Sequence, residues 1–288
     1  MISQPQFRLS ANAFNRPDSE TTDAKAVIFI SSEGTETEPD YFEQLNSHLD
    51  RKSPYIIHVL KHDRDTTSDP RHVLDLLEEC RNIRSGRSFF GMKSKNKELR
   101  LTEKLILKFF TNPDTFSKKK QEEFKIAVTK LGIDVDYYRY LREIGTRKNG
   151  YNDRFALVID RDGKCHNLKT LEEIRDICRE RNFDFCLSNP CFDLWLILHH
   201  ELHLTPSIKR KLLDNNKISN NNTVSSIILS ECAHHAKHIS KTTFEKIYLP
   251  KIRHASKRAT RLASNDTDIL SNIGTRVPLI IDKVLPYL

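Results

Sequence analysis

Two stretches far apart in the chain end a run of apolar residues on carboxylates. Ala26 to Ile30 is a run of five apolar residues, followed after two serines by Glu33, Gly34 and, further on, Glu38 and Pro39. A run of that kind reads as a buried strand, and Pro39 suits the first turn of a helix. Glu33 therefore falls on the loop where the strand ends. In open α/β sheets that edge is where ligands bind, and the next helix adds free N–H groups and a positive dipole. The second stretch, Phe155 to Ile159, ends on Asp160, Arg161 and Asp162. Hard divalent cations take oxygen ligands, so Glu33, Asp160 and Asp162 brought together could hold one. The structural alternative is that turns favour Asp and helix N-termini favour acids.

A third stretch, Ser188 to His199, contains Asn189, Pro190, Cys191, Phe192, Asp193 and Trp195. Pro190 is expected to start a helix with Asp193 in its first turn. A carboxylate there stabilises the helix dipole by about 0.3–1 kcal/mol. It could equally add a ligand at the same edge.

The elements that must position these groups are legible as periodic patterns. Tyr41, Phe42, Leu45 and Leu49 form one face of a helix over 39–50, and Tyr55 to Leu60 reads as a strand. Pro70 opens a helix to about Arg84 with Val73, Leu74, Leu77 and Cys80 inside. Leu168, Leu171, Ile174, Ile177 and Cys178 define a helix over 168–181, and Phe183 to Leu187 a short strand. The alternation of strands and helices predicts an α/β fold. Beyond 205 the pattern is helical: a short helix and a polar loop over 206–222, helices at 223–238 and 242–263, and a final amphipathic helix over 275–288. Residues 1–24 show no periodicity and are read as an arm. The organisation expected is thus a core from 25–85 and 151–205, a basic helical insertion at 86–150, and a basic helical region at 206–288.

Composition narrows the function classes. The 288 residues carry a formal net charge of +8, unevenly spread. Residues 81–150 hold 18 Lys+Arg against 8 Asp+Glu, and residues 207–264 hold 12 against 3. The acidic remainder contains the strand-end carboxylates. An acidic centre flanked by basic arms suits a polyphosphate partner. The basic candidates for gripping nucleic acid are Lys118, Lys119, Lys120, Arg139, Arg142, Arg147, Lys148, Lys251, Arg253, Lys257 and Arg258. Tyr137, Tyr138 and Tyr140 interleave with them and could stack on bases, although packing is the usual role of such tyrosines. Mean hydropathy is −0.56. No apolar run approaches a membrane span and no signal-peptide pattern opens the chain, so a cytoplasmic protein is expected.

The six cysteines form no Cys-x-x-Cys pair and are read as reduced thiols, several of them in the core. His199 with His203, and His234 with His238, have helical spacing. The Glu of His-His-Glu-Leu-His stands one place too late for the zinc motif, so these are read as helix-surface or core histidines. Walker A, Rossmann and Gly-x-Ser-x-Gly patterns are absent.

Taken together, Glu33-Gly34 through Thr37-Glu38-Pro39 to Tyr41-Phe42, then Asp160-Arg161-Asp162, then Asn189-Pro190-Cys191-Phe192-Asp193-Leu194-Trp195 to His199, resemble the marks of the RloB-like family. The resemblance covers most of residues 25–286. It implies a Toprim-like fold, a small, mainly parallel sheet with helices on both faces, in which Glu33 transfers protons and Asp160 and Asp162 hold Mg²⁺ or Mn²⁺. Glu38 and Asp193 would be further ligands, with Glu33 itself within reach of the metal. It also implies a nuclease of bacterial anti-phage systems acting with an AAA-type ATPase partner on RNA, tRNA among the candidates, in preference to DNA; a homodimer is compatible with it. A non-catalytic nucleic-acid-binding or sensor subunit is the alternative. Two departures stand out. Asp193 occupies a position where the family has Glu, one methylene longer. Glu33 and Asp160 are separated by more than 120 residues, a gap for which the basic insertion accounts.

Overall fold

The computed structural model describes residues 25–60, 69–85, 108, 115–129, 135–145, 152–162, 166–201, 203–218, 221–232, 238–263 and 265–288. The expected N-terminal arm, the basic stretch from Lys93 to Arg100, nearly all of the helix expected around Leu101 to Phe110, and the candidates Arg147 and Lys148 lie outside the described residues.

The chain begins with β1 (Ala26–Ser32), α1 (Thr37–Ser47), β2 (Tyr55–Val59) and α2 (Pro70–Ser85). After α2 come α3 (Lys118–Thr129) and α4 (Val135–Glu143). Then follow β3 (Arg154–Asp160), α5 (Leu168–Arg181), β4 (Asp184–Asn189) and the short α6 (Asp193–Ile197). The C-terminal region contains α7 (Pro206–Asp214), β5 (Lys217–Ile218), β6 (Asn221–Asn222), α8 (Thr223–Cys232), α9 (Lys241–Thr243), α10 (Ile252–Ala259), β7 (Gly274–Thr275) and α11 (Pro278–Val284).

Five strands form one sheet in the order β2-β1-β3-β4-β7. The pairings of β1 with β2 and β3, and of β3 with β4, are parallel; β7 alone runs antiparallel, against β4. The molecule is therefore α/β, as the alternation of elements predicts. All seven residues of β1 are buried: Ala26 to Ile30 are apolar because a parallel strand is covered on both faces, and the hydroxyls of Ser31 and Ser32 donate to the carbonyls of Val73 and Gly34.

Strand alternation divides the core in two. Ile28, Ile30, Ala156 and Val158 face α1, α6, α8, α10 and α11. Val27, Phe29, Leu157 and Ile159 face α2, α4 and α5. Each of the Val, Leu, Ile and Phe side chains among these, fully buried, contributes about 1.5–3 kcal/mol. Truncating Phe29 to Ala would leave a cavity between two helices and cost about 3–5 kcal/mol.

Register brings the acidic stretches to one edge. Ser32 pairs with Val158, and Asp160 with Ser188, so β1, β3 and β4 all deliver their C-terminal ends to the same rim.

Several expectations are corrected. The helix expected from Pro190 begins at Asp193, because the Arg161 N–H donates to the Ser188 carbonyl (2.8 Å) and the Asp162 N–H to the Pro190 carbonyl (3.1 Å). Those bonds continue strand pairing through Pro190 and leave its backbone unavailable to a helix. Leu168 does not belong to the buried face of α5; it is 39% exposed at the first turn. The polar loop before residue 222 contains the β5–β6 hairpin. The single helix expected over 242–263 is broken: after α9 comes a π-helical turn over Phe244–Tyr248 and a 3-10 turn over Leu249–Lys251 before α10 begins. Pro250 lies in that second turn, where it has no N–H to give to a continuous helix. The two residues of β7, too short to leave a pattern, go unseen in the sequence.

Helix α4 is tied to the sheet by a buried ion pair that sequence reading does not reveal. Arg84 and Asp153 have side chains only 6% and 4% exposed and stand 2.7 Å apart. Asp153 also accepts from the Val27 N–H (2.9 Å). Arg84 Nη1 donates to the carbonyls of Leu141, Arg142 and Ile144, closing the C-terminal end of α4. One guanidinium thus links α2, α4 and the loop before β3.

Candidate active site

Glu33 follows β1 directly, and its N–H continues the ladder by donating to the Val158 carbonyl (3.0 Å). That bond aims the side chain across the rim toward β3. Its Oε2 accepts from the Asp160 N–H (3.1 Å), and its Oε1 lies 2.9 Å from His166 Nε2. Burial raises the Glu33 pKa above the ordinary carboxylate value, and Asp162 adds to the rise, while the Asp160 N–H and His166 oppose it.

Glu38, in the first turn of α1, is buried. Its carboxyl group folds back over Gly34, where a Cβ would lie 1.9 Å from Oε2. Only glycine leaves room for that approach. Burial pushes the Glu38 pKa up to about 7, against the N–H groups of Glu38 and Gly34, and the charges of Asp193 and Glu33 add to it.

Asp160, the last residue of β3, accepts from the Phe192 N–H through Oδ1 (2.8 Å). Its pKa lies well above the ordinary value, first from burial and then from Glu38, Glu33 and Asp193. Asp193 opens α6 and accepts from Ser225 Oγ of α8 (3.0 Å). Cys191 feels the same field: burial raises its thiol, with Asp160 and Asp193 adding to it.

Glu33, Glu38, Asp160 and Asp193 therefore form one electrostatically linked group of carboxylates, assembled from the ends of β1 and β3 and the first turns of α1 and α6. Asp162 sits one step outside, on the loop after β3. Its N–H is held by Pro190 and its carbonyl accepts from the His166 N–H (3.1 Å). Arg161, between the two aspartates, donates to the carbonyls of Leu270 (3.0 Å) and His166 (3.1 Å) and fixes the loop.

The donor set is all carboxylate oxygen, which is the chemistry a Mg²⁺ or Mn²⁺ ion would take. Among the described residues no group of three or more His, Cys, Asp or Glu side chains is arranged to hold a metal ion. The reason is local. Glu33, Glu38 and Asp160 accept from backbone N–H groups and Asp193 from Ser225, so the oxygens are aimed at those donors. Rotation of these side chains would be needed to converge them on an ion.

His166, which sequence reading passes over, is the group that touches Glu33 from outside the carboxylate set; its side chain is 10% exposed. Its only sequence signal is its place beside Asn167, which caps α5 by accepting from the Lys169 N–H. That cap fixes where the helix starts and hence where His166 stands.

The histidine pairs separate. His199 is buried and its ring reaches the Trp195 carbonyl (3.0 Å) and the Tyr41 hydroxyl (3.3 Å). Burial lowers its pKa to about 3, so it is a neutral core residue. His203 is exposed. His238 Nδ1 lies 2.7 Å from Asp40, and His234 lies outside the described residues. Cys80, Cys178 and Cys186 are buried free thiols.

The basic candidates are scattered. Lys118, Lys119 and Lys120 are exposed at the start of α3, and Lys251, Arg253 and Lys257 are exposed around α10. Arg253 donates to the Leu285 carbonyl (2.9 Å). Arg258 is committed to the carbonyls of Leu198 and His200 at the end of α6. Arg139 and Arg142 belong to α4, where Tyr138 donates to Glu79, Tyr137 lies 3.3 Å from His58, and Tyr137 stacks on Tyr140. The tyrosines thus pack within the protein.

The fold and this rim define an α/β protein with an acidic centre at the C-terminal edge of its parallel strands. A family model described as RloB-like protein matches residues 28–284, nearly the whole chain, and the chain belongs to that family. No curated protein and no solved structure matches it. No helix among the described residues is long and apolar enough to cross a membrane.

Proposed function

We propose that the chain is a divalent-metal-dependent nuclease with a Toprim-like core, hydrolysing phosphodiester bonds in anti-phage defence. The observation that carries this reading is the buried carboxylate group of Glu33, Glu38, Asp160 and Asp193 at the sheet rim. Glu33 and Asp193 raise the pKa of both Glu38 and Asp160, and acids so placed are costly to bury unless a cation is to be bound there. Family membership and the flanking basic segments support the same reading.

A Mg²⁺ or Mn²⁺ ion bound there would polarise the scissile phosphate and lower the pKa of a bound water. Asp160, Asp193 and Glu38 would hold it, with Asp162 available from the loop after β3. Glu33 is the proton-transfer group: its raised pKa brings it closer to neutrality, where general acid–base groups work best. His166 and the Asp160 N–H fix the orientation of its two oxygens. Basic side chains around the rim would hold the polyanion, with affinity falling as salt rises. RNA, tRNA included, is favoured as substrate by analogy with toxic defence nucleases, and an AAA-type ATPase partner would control the activity.

The test is cleavage of labelled tRNA, single-stranded RNA and duplex DNA with Mg²⁺ or Mn²⁺, by wild type, Glu33→Ala and Asp160→Ala. Metal-dependent cutting lost in both variants is expected. Cutting that survives in both would refute this site. If wild type is silent alone, the assay is repeated with the ATPase; silence there favours a non-catalytic sensor subunit.

A further inference from the structure

A trough on the surface lies beyond the far end of α6. Two adjoining hollows, of about 380 and 390 Å³, share Lys209, Arg261 and Leu262 in their linings. Lys209 and Arg210 come from α7, Arg258 and Arg261 from the end of α10, and the half-buried Leu204 and Leu262 contribute apolar surface to the lining. Among the described residues one acid, Glu201, lines either hollow.

Arg258 is anchored to the Leu198 and His200 carbonyls and so presents a fixed charge. Lys209, Arg210 and Arg261 have no side-chain hydrogen bond or ion pair among the described residues, in contrast to Arg276 with Asp266 and Lys283 with Asp184 nearby. Like charges gathered along one trough repel one another, and an anion that spans them removes that cost. Apolar surface in a lining that carries cations suits a ligand with an apolar face and a charged backbone.

The trough is also close to the acidic rim. The five-residue α6 begins with Asp193 and ends at Ile197, which lines the first hollow. Five residues of helix rise about 7.5 Å, so α6 links the two places over a short span.

We infer that this trough is a binding site for single-stranded nucleic acid, its phosphates held by Lys209, Arg210, Arg258 and Arg261 and its bases laid against Leu204 and Leu262. The inference rests on the reading of the chain as a protein that acts on nucleic acid, but the binding it describes needs no cutting. An isolated strand fits the trough because its bases are free to turn toward apolar surface. A duplex hides them.

The test is fluorescence anisotropy of a labelled single-stranded RNA 20-mer with the full chain in EDTA, across a salt series, beside a duplex of the same sequence. The variant is Lys209→Gln/Arg210→Gln/Arg261→Gln. The control, Arg51→Gln/Lys52→Gln/Arg154→Gln, removes the same charge from exposed positions away from the rim and the trough. Tenfold or greater loss of affinity in the trough variant is expected, with the slope of log K against log salt reduced by about two. The control should keep the wild-type slope to within about 0.5. If the triple variant is misfolded by circular dichroism, Arg210→Gln, an exposed position, serves alone and should reduce the slope by about 0.7. Equal effects in trough and control variants, preference for the duplex, or no binding by wild type would each overturn the inference. Because EDTA removes metal, failure of the nuclease reading leaves this measurement intact.

Discussion

The backbone N–H of Asp160 donates to Oε2 of Glu33 at 3.1 Å. The residue that would transfer protons is thus held by the residue that would bind metal. The two are far apart in sequence, and the parallel pairing of β1 with β3 brings them together. Moving either strand end would disturb both roles.

Glu33→Gln keeps the size of the side chain and an acceptor oxygen while removing the carboxyl group proposed to transfer protons. Cutting is expected to fall by about 10²–10⁴-fold with the thermal midpoint nearly unchanged. Rates and melting curves measured together check this; a variant with wild-type rate would remove Glu33 from the mechanism.

His166 is expected to act through Glu33. His166→Ala should lower kcat by about tenfold or more while leaving KM nearly unchanged, since it removes a donor that orients a second group. His166→Gln, which can still donate, should recover part of the rate. An equal loss in both variants would mean that the ring serves packing alone.

The stability of the metal-free protein should depend on pH through Glu38. Its folded pKa is raised from 4.5 to about 7, so the folded state binds the proton more tightly than the unfolded chain does. The stability this supplies is complete below pH 4.5 and is lost as pH rises toward 7. Melts at pH 4.5 and 8 in EDTA should differ, Glu38→Gln should narrow the difference, and millimolar Mg²⁺ should raise the melting temperature at pH 8. No response to Mg²⁺ at pH 8 would count against a cation at this rim.

Removing one partner of the Arg84–Asp153 pair leaves a buried charge alone. Arg84→Met is expected to cost about 3–5 kcal/mol in urea unfolding, and Arg84→Met with Asp153→Leu to cost less than the single change. Additive losses would show that the two side chains act independently.

Much of this architecture is written locally in the chain. The apolar runs ending at Glu33 and Asp160, the helical face of Tyr41, Phe42 and Leu45, and the motif around Asn189 to Trp195 identify an α/β protein of the RloB-like family. They also mark the rim acids, because strands, helices and turns are set by residues near one another in sequence. What depends on distant contacts stayed hidden. Pro190 looks like a helix start, yet pairing of the Arg161 and Asp162 N–H groups with the carbonyls of Ser188 and Pro190 postpones the helix to Asp193. Nothing in the neighbourhood of His166 indicates that its ring meets Glu33, and nothing near Arg84 indicates Asp153. Lys209 and Arg261 share a trough although some fifty residues of chain separate them. In each case a side chain or backbone group is satisfied by a partner brought in by strand order and helix packing, and only the tertiary structure could choose that partner.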